Sequence, residues 1–315
     1  VSGDALTTGG YNTAVGSSAL SATTTASNNT ALGYGALTAN STGGSNVAVG
    51  HQALDANTTG SGNVAMGTGA LGASTTTSNN TALGHSALTA NTTATNNTAV
   101  GTDAGVSVTT GGSNTLVGYN VGDSITTGAY NTAIGDRALQ ATTTVNNNVA
   151  LGYAALYNNT AASNTALGTN ALFNNTTGTF NVAVGDAALD SNTTADYNVG
   201  VGYGALQGTS TGANNTALGH AALYTNLAAN NTALGYRAMY SNSTGTDNTA
   251  VGMQALHNNT TGGANTAVGL NALYSLTTGS YNTAFGYATG DAITTGTSNT
   301  LYGYNAGSAI TTGDG

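Results

Sequence analysis

The sequence lacks several kinds of residue altogether. Its 315 residues include no cysteine, proline or tryptophan, and lysine and glutamate are absent as well. Without cysteine there are no disulfides, no thiolate nucleophile and no Cys-type metal site. Charged residues make up only 4% of the chain, against about 25% in ordinary globular proteins. Few groups are available for acid–base catalysis, so we expect a protein that is not an enzyme.

Positive charge is scarce. Apart from four histidines, the only basic residues are Arg137 and Arg237, and the formal net charge is −9. Nucleic-acid binding needs a basic face that releases counterions, and binding to an anionic membrane surface needs one too. No apolar run approaches the roughly 18 residues of a membrane span. The composition therefore argues against nucleic acid as a partner and against membrane insertion.

A short repeat runs along the whole chain. The motif Asn-Thr-Ala-Leu-Gly and its variants occur eighteen times, 17 residues apart except for two intervals of 16. Each unit is too short for a helix pair, and the motif is short, rich in Thr and Val, and bounded by Asn and Gly, which is typical of a strand. We therefore predict an all-β fold, a parallel β-solenoid (β-roll) of about eighteen 17-residue coils. The copies end at Gly16, Gly33, Gly50, Gly67, Gly84, Gly101, Gly118, Gly135, Gly152, Gly168, Gly185, Gly202, Gly219, Gly235, Gly252, Gly269, Gly286 and Gly303.

Stacking of identical positions explains the composition. Equivalent residues of successive coils would lie about 4.8 Å apart, so a charged position would place like charges next to one another. An asparagine column is favourable because each amide can donate to one neighbour and accept from the other. The motif glycine would supply a backbone angle or a close approach that other residues cannot. Residues 1–315 are thus predicted to form a single solenoid rod, roughly 85–90 Å long for eighteen coils.

Some repeats depart from the Ala-Leu pair that normally follows the motif. Two adjacent pairs of variant repeats lie near residues 101–128 and 286–313, and residues 1–11 contain part of another. Neither end of the sequence has an obvious polar cap, which solenoids normally need. We expect either that the chain continues beyond these residues or that copies stack end to end into a filament.

The alternation inside the motif predicts self-association. Thr or Val at the second position and Leu, Val or Ile at the fourth lie on one face of the strand, and Ala at the third lies on the other. The column formed by this third position contains no polar residue in any copy. We therefore predict that both faces are buried, one in the coil's own core and the other against another chain. A coil of this size has little interior, and a second copy would supply the missing burial.

The repeats resemble those of known fibre proteins. Asn12-Thr-Ala-Val-Gly16 followed by Ala-Leu resembles the head repeats of YadA-like trimeric autotransporter adhesins, whose units read Asn-Ser-Val-Ala-Ile-Gly. It is also similar to the Asn-Thr-Ala-Ile-Gly-Tyr-x-Ala-Leu repeats of bacterial and phage tail-fibre-like proteins. The resemblance covers nearly all of the chain. It implies a homotrimer of parallel β-rolls, exposed on a cell surface and serving adhesion.

One position offers a candidate contact surface. Ten copies have tyrosine or histidine directly after the motif glycine. Such a column could contact a glycan or a partner rod, or its rings could stack and simply stabilise strand packing. The ten residues are Tyr34, His51, His85, Tyr119, Tyr153, Tyr203, His220, Tyr236, Tyr287 and Tyr304.

The sequence offers one set of candidate metal ligands. Asp4, Asp123 and Asp291 recur in Gly-Asp-x-[Ile/Leu] turns and are candidate Ca²⁺ ligands, although hydrogen bonding within the turn also explains them. His51 and His85 are two coils apart, about 9.6 Å, too far to share one metal. We expect no other metal and no cofactor. Sequons such as that at Asn40 leave glycosylation open.

The sequence as a whole predicts a structural fibre protein that is extracellular, on a cell surface or on a virion, and acts as a rod-like spacer or adhesin. An ice-binding β-solenoid is the alternative, because low charge and Thr-rich faces also suit a flat, regular surface. It would call for Thr at alternating positions in register. A third reading is a polysaccharide-binding or polysaccharide-cleaving tailspike, for which Asp186 with Asp190 is the nearest approach to a catalytic carboxylate pair.

Overall fold

The computed structural model describes residues 2–314, which contain short parallel strands and no helix. The chain divides into two compact units, residues 2–162 and 163–314. The first unit contains β1 (Thr13–Val15), β2 (Thr30–Leu32), β3 (Val47–Val49), β4 (Val64–Met66), β5 (Thr81–Leu83), β6 (Thr98–Val100), β7 (Thr115–Val117), β8 (Thr132–Ile134) and β9 (Val149–Leu151). The second contains β10 (Thr165–Leu167), β11 (Val182–Val184), β12 (Val199–Val201), β13 (Thr216–Leu218), β14 (Thr232–Leu234), β15 (Thr249–Val251), β16 (Thr266–Val268), β17 (Thr283–Phe285) and β18 (Thr300–Tyr302).

Each unit is a parallel β-solenoid with one strand per repeat. Neighbouring strands pair in register at equivalent positions, as Ala31 does with Ala48 in the first unit and Ala250 with Ala267 in the second. The predicted all-β solenoid of 17-residue coils is confirmed. That residues 1–315 form one rod stays a prediction, and residues 1 and 315 lie outside the described part of the chain.

The interior of a coil is narrow. In the coil of residues 29–45, the buried apolar side chains are Ala31 of the strand and the pair Ala36-Leu37. The predicted burial of the Ala column is therefore confirmed, and it is the coil's own core that buries it. The other face of the strand is not covered within the chain, since Leu32 is 47% exposed.

The motif glycine is required by the close approach of successive coils. Gly33 has a φ of +137°, and a Cβ placed on it would lie 2.5 Å from the carbonyl oxygen of Gly50 in the next coil. Side chains rarely adopt this φ, and the backbone oxygen cannot move aside. Both predicted reasons for the glycine are therefore present at the same position.

The core leucine adopts an unusual backbone conformation. Leu37 has a φ of +52° and is fully buried, and equivalent leucines in other coils are also left-handed. A left-handed residue with a side chain costs about 1–2 kcal/mol. Full burial of a leucine contributes about 1.5–3 kcal/mol, which offsets that cost. Burial, not local preference, therefore stabilises this turn.

Two columns of buried asparagine run through the coils. In the first column the motif asparagines interact through the backbone: Asn29 Oδ1 accepts the backbone N–H of Asn46 at 2.9 Å, and Asn29 Nδ2 donates to Gly43 O at 2.9 Å. Direct amide-to-amide bonds occur in some copies, such as Asn131 Nδ2 to Asn114 Oδ1 at 3.1 Å. The predicted asparagine ladder is present. The hydrogen bond that recurs from coil to coil, however, joins the side-chain oxygen of one asparagine to the backbone N–H of the next.

The second column consists of asparagines in the loop. Asn57 Nδ2 donates to Asn40 Oδ1 at 2.9 Å, so these side chains form an amide-to-amide ladder. The ladder is interrupted where another residue replaces asparagine, as Ser74 does after Asn57. Each last member is then left with a buried oxygen that accepts no hydrogen bond: Asn57, Asn192 and Asn259. The sequon asparagine Asn40 is fully buried, so the folded chain does not offer it for glycosylation.

The variant repeats redistribute core volume. Gly105 and Gly122 stand where other coils have leucine, and Leu116 stands where other strands have alanine. A Cβ on Gly105 would lie 2.7 Å from Leu116 Cδ1, and one on Gly122 would lie 3.0 Å from Leu116 Cδ2. Leu116 thus fills space beside both glycines, and beside Gly122 it shares that space with Ile125, whose Cδ1 would lie 2.8 Å from the added Cβ.

The second unit repeats this arrangement. A Cβ on Gly290 or on Gly307 would lie 3.0 or 2.7 Å from Leu301 Cδ1. The apolar residues Ile125 and Ile293 also replace the loop asparagine in these coils. The variant repeats are therefore alternative core packings of the same coil.

Candidate functional site

The uncovered face of each unit presents a continuous column of apolar side chains. The fourth motif position points outward in every coil, and none of these residues is buried. Leu83 and Leu218 are 42% and 45% exposed. We call this column the apolar stripe: Val15, Leu32, Val49, Met66, Leu83, Val100, Val117, Ile134 and Leu151 in the first unit, and Leu167, Val184, Val201, Leu218, Leu234, Val251, Val268, Phe285 and Tyr302 in the second.

A second column runs beside the apolar stripe. The second motif position points to the same side, is Thr or Val in every copy, and is half-buried or exposed. The two columns lie side by side on the parallel sheet of each unit, one apolar and the other mostly threonine. Contiguous exposed apolar surface of this kind marks an interaction site in soluble proteins.

All ten residues of the predicted contact column lie exposed on the surface. Rings in adjacent coils stack, with centroids 5.4 Å apart for Tyr34 and His51, and 5.1 and 5.3 Å apart along Tyr203, His220 and Tyr236. Stacking covers ring faces within the column and leaves ring edges and hydroxyl groups outward. A ligand would therefore meet polar edges more than aromatic faces.

The rest of this column is less regular. Tyr287 and Tyr304 stack with centroids 5.2 Å apart. His85 Nδ1 lies 3.8 Å from Asp103 Oδ1. Tyr119 and Tyr153 are separated in the column by Asp136. The structure therefore brings seven of the ten residues together in three short stacks, whereas His85, Tyr119 and Tyr153 have no aromatic neighbour in the adjacent coils of this column.

Sequence reasoning missed a second aromatic ladder in the second unit. It occupies the fifth position after the motif glycine, where Tyr224, Tyr240, His257 and Tyr274 stack with centroid distances of 5.1, 5.4 and 5.1 Å. These rings are half-buried. Tyr157 and Phe173 also occupy this position, but many other coils have Thr, Gln or Asp there, so the sequence shows no continuous aromatic column.

Arg237 lies between the two aromatic columns. Its ζ carbon is 5.3 Å from the ring centroid of Tyr236 in the exposed column and 5.3 Å from that of Tyr240 in the second ladder. Guanidinium groups at this distance from aromatic rings are attracted electrostatically. The second unit thus has a patch in which tyrosine, histidine and arginine are adjacent.

The three Ca²⁺ candidates have different surroundings. Asp4 is exposed, Asp123 accepts hydrogen bonds from Ser124 Oγ at 3.2 Å and Gln140 Nε2 at 3.1 Å, and Asp291 has a buried oxygen with no donor. Within residues 2–314, no three histidine or acidic side chains come together as a metal site would require. Hydrogen bonding near the turn is present at Asp123, and Ca²⁺ binding stays a prediction.

The carboxylates considered for cleavage are electrostatically linked. Burial raises the pKa of Asp190, and the negative charge of Asp186 raises it further. Burial also raises the pKa of Asp55, near His51.

Comparison with known proteins does not assign the chain to a family. No protein-family model matches it, and no curated protein sequence matches it. Within residues 2–314 there is also no helix of the length and apolar character that crossing a membrane requires.

Proposed function

We propose that the chain is a structural fibre protein whose coils self-associate through the apolar stripe into a rod-like spacer or adhesin. The observation that supports this is the stripe itself, which stays apolar in all eighteen copies although the chain leaves it uncovered. The similarity of the repeats to YadA-like heads supports a homotrimer located outside the cell, on a cell surface or on a virion. End-to-end stacking into filaments is a further part of this proposal.

Area bookkeeping supports association of a long array. A stripe leucine is roughly half exposed, so covering it would contribute about 1 kcal/mol. Nine coils of one unit would contribute roughly 9 kcal/mol, comparable with the estimated cost of association, about 4–15 kcal/mol. Covering the stripe of a few coils would not offset the cost of association, whereas covering a stripe that continues through many coils would.

Analytical ultracentrifugation of the full chain tests the proposal. We expect a mass that is a multiple of 30.4 kDa, threefold for the trimer. Leu234→Asp should weaken association because it places a carboxylate in the stripe of every copy. Leu227→Asp is the matched control. Leu227 is 46% exposed and Leu234 is 40% exposed, but Leu227 lies in a loop and is not part of the stripe.

Three results would count against self-association through the apolar stripe: a wild-type monomer at tens of micromolar, equal weakening by both variants, or no effect of either. Circular dichroism on both variants checks that the coils remain folded.

Ice binding is the second candidate, and one observation favours it. The second motif position forms an in-register column that is mostly Thr, as in Thr81, Thr98, Thr115 and Thr132, on the flat uncovered face. Thermal hysteresis of the purified chain tests this, and its absence removes the candidate. A glycan array combined with a hydrolysis assay tests the tailspike reading.

A further inference from the structure

The two arginines of the chain occupy equivalent backbone positions in different surroundings. Each is the second residue after a motif glycine and has a left-handed backbone, with φ of 57° for Arg137 and 51° for Arg237. Arg137 Nε lies 3.6 Å from Asp136 Oδ1. Arg237 follows Tyr236 instead, and within residues 2–314 no carboxylate lies within 4.0 Å of it. One arginine is neutralised by its neighbour and the other has no counterion.

The surroundings of Arg237 hold its guanidinium in place. The rings of Tyr236 and Tyr240 lie 5.3 Å from its ζ carbon, and His220 stacks on Tyr236. Arg237 Nε is buried and has no hydrogen-bond partner. The backbone N–H of Arg237 donates to His220 O at 2.9 Å. The guanidinium group thus packs against aromatic rings. Within the described chain its N–H groups donate no hydrogen bond to a carboxylate.

The local charge differs from that of the whole chain. Between residues 197 and 290 the only acid is Asp247 and the only arginine is Arg237. The local formal charge is therefore zero, although the chain has a net charge of −9. An anionic ligand would meet little repulsion at this patch.

The groups present match a sugar unit that bears one carboxylate and several hydroxyls. A guanidinium fork binds a carboxylate through two parallel hydrogen bonds. The phenol groups of Tyr236 and Tyr240 and the imidazole of His220 can exchange hydrogen bonds with hydroxyl groups. An acidic peptide side chain offers a carboxylate without hydroxyl groups, so it would leave the phenol and imidazole groups of this patch without partners.

We infer that Arg237, with Tyr236, Tyr240 and His220, binds a saccharide that bears a carboxylate, such as a chain of uronic acids. This inference deepens the adhesive role proposed above and rests on it. The polar edges of the stacked rings and the arginine would bind the sugar, while the apolar stripe would mediate self-association.

Calorimetric titration of the full chain with oligogalacturonate tests the site. The methyl ester of the same oligosaccharide keeps the backbone and hydroxyls and removes the charge. We expect the ester to bind at least tenfold more weakly, and Arg237→Gln to reduce affinity for the acid at least tenfold. Arg137→Gln is the matched control and should change affinity less than twofold. Arg237→Lys should give an intermediate loss, because it keeps the charge without the fork.

Other outcomes would overturn the inference: no binding of oligogalacturonate at millimolar concentration, equal binding of acid and ester, equal loss in both arginine variants, or tighter binding of oligoglutamate. Ultracentrifugation of Arg237→Gln separates this test from that of assembly. An unchanged oligomer that loses saccharide binding supports both proposals. A wild-type monomer that still binds oligogalacturonate would refute assembly and leave the saccharide site supported.

Discussion

Truncating Leu116 tests whether one leucine fills the core of two coils. The side chain is fully buried, and its two Cδ atoms occupy the space beside Gly105 and Gly122. Leu→Ala substitutions in packed cores cost about 2.7–5.0 kcal/mol, more where the site cannot collapse. Glycines have no side chains that could move into the cavity. We therefore expect Leu116→Ala to cost about 4 kcal/mol.

Hydrogen exchange measured by mass spectrometry locates this cost. Because about 1.4 kcal/mol corresponds to a factor of ten, amides in β6–β8 should exchange on the order of a thousandfold faster, and those in β2–β4 should be unaffected. A double-mutant cycle with Gly105→Ala provides the control. In the wild type the added Cβ would lie 2.7 Å from Leu116 Cδ1, an overpacking cost of about 1–3 kcal/mol. In Leu116→Ala the part of the cost that comes from Leu116 should disappear, leaving the cost of a left-handed alanine at a φ of +58°, so additive costs would refute the argument.

Two further predictions concern stability. Gly135→Ala should cost about 3 kcal/mol or more, since its Cβ would lie 2.4 Å from Gly152 O. Gly10→Ala should change the stability little, because no atom lies within 4 Å of the Cβ that it adds. Equal Tm values for the two variants would contradict this. Because the pKa of Asp190 is raised in the folded chain, ionising this carboxyl group destabilises the fold. The free energy of unfolding therefore suffers no loss from Asp190 below the unfolded pKa of 3.8, and it decreases as the pH rises through the folded pKa. Asp190→Asn should therefore raise Tm at pH 7 and leave it unchanged near pH 3, and a larger effect at pH 3 would contradict this reasoning.

Strand positions and parallel stacking were predictable because a 17-residue period places the same residue at the same level of every coil. The inward face was harder to predict, since Leu32 is more hydrophobic than Ala31 and yet lies outside. The reason is Leu37, which enters the core from a left-handed turn that no sequence preference favours. The burial of Asn40 was missed for a similar reason, because a polar loop residue gives no sign that it belongs to an internal ladder.

The variant coils explain why the apolar stripe must lie outside. Leucine is accepted at the strand's inward position only at Leu116 and Leu301, and in both places the adjoining coils have glycine instead of the turn leucine. The space shared by the strand's inward residue and the turn residue thus holds about one leucine per coil, and an ordinary coil such as that of Leu37 already contains one there. The residues of the stripe have no place inside the chain. Their apolar character in every copy supports the proposed self-association, since a second copy of the chain has the same repeat and would match the stripe coil by coil.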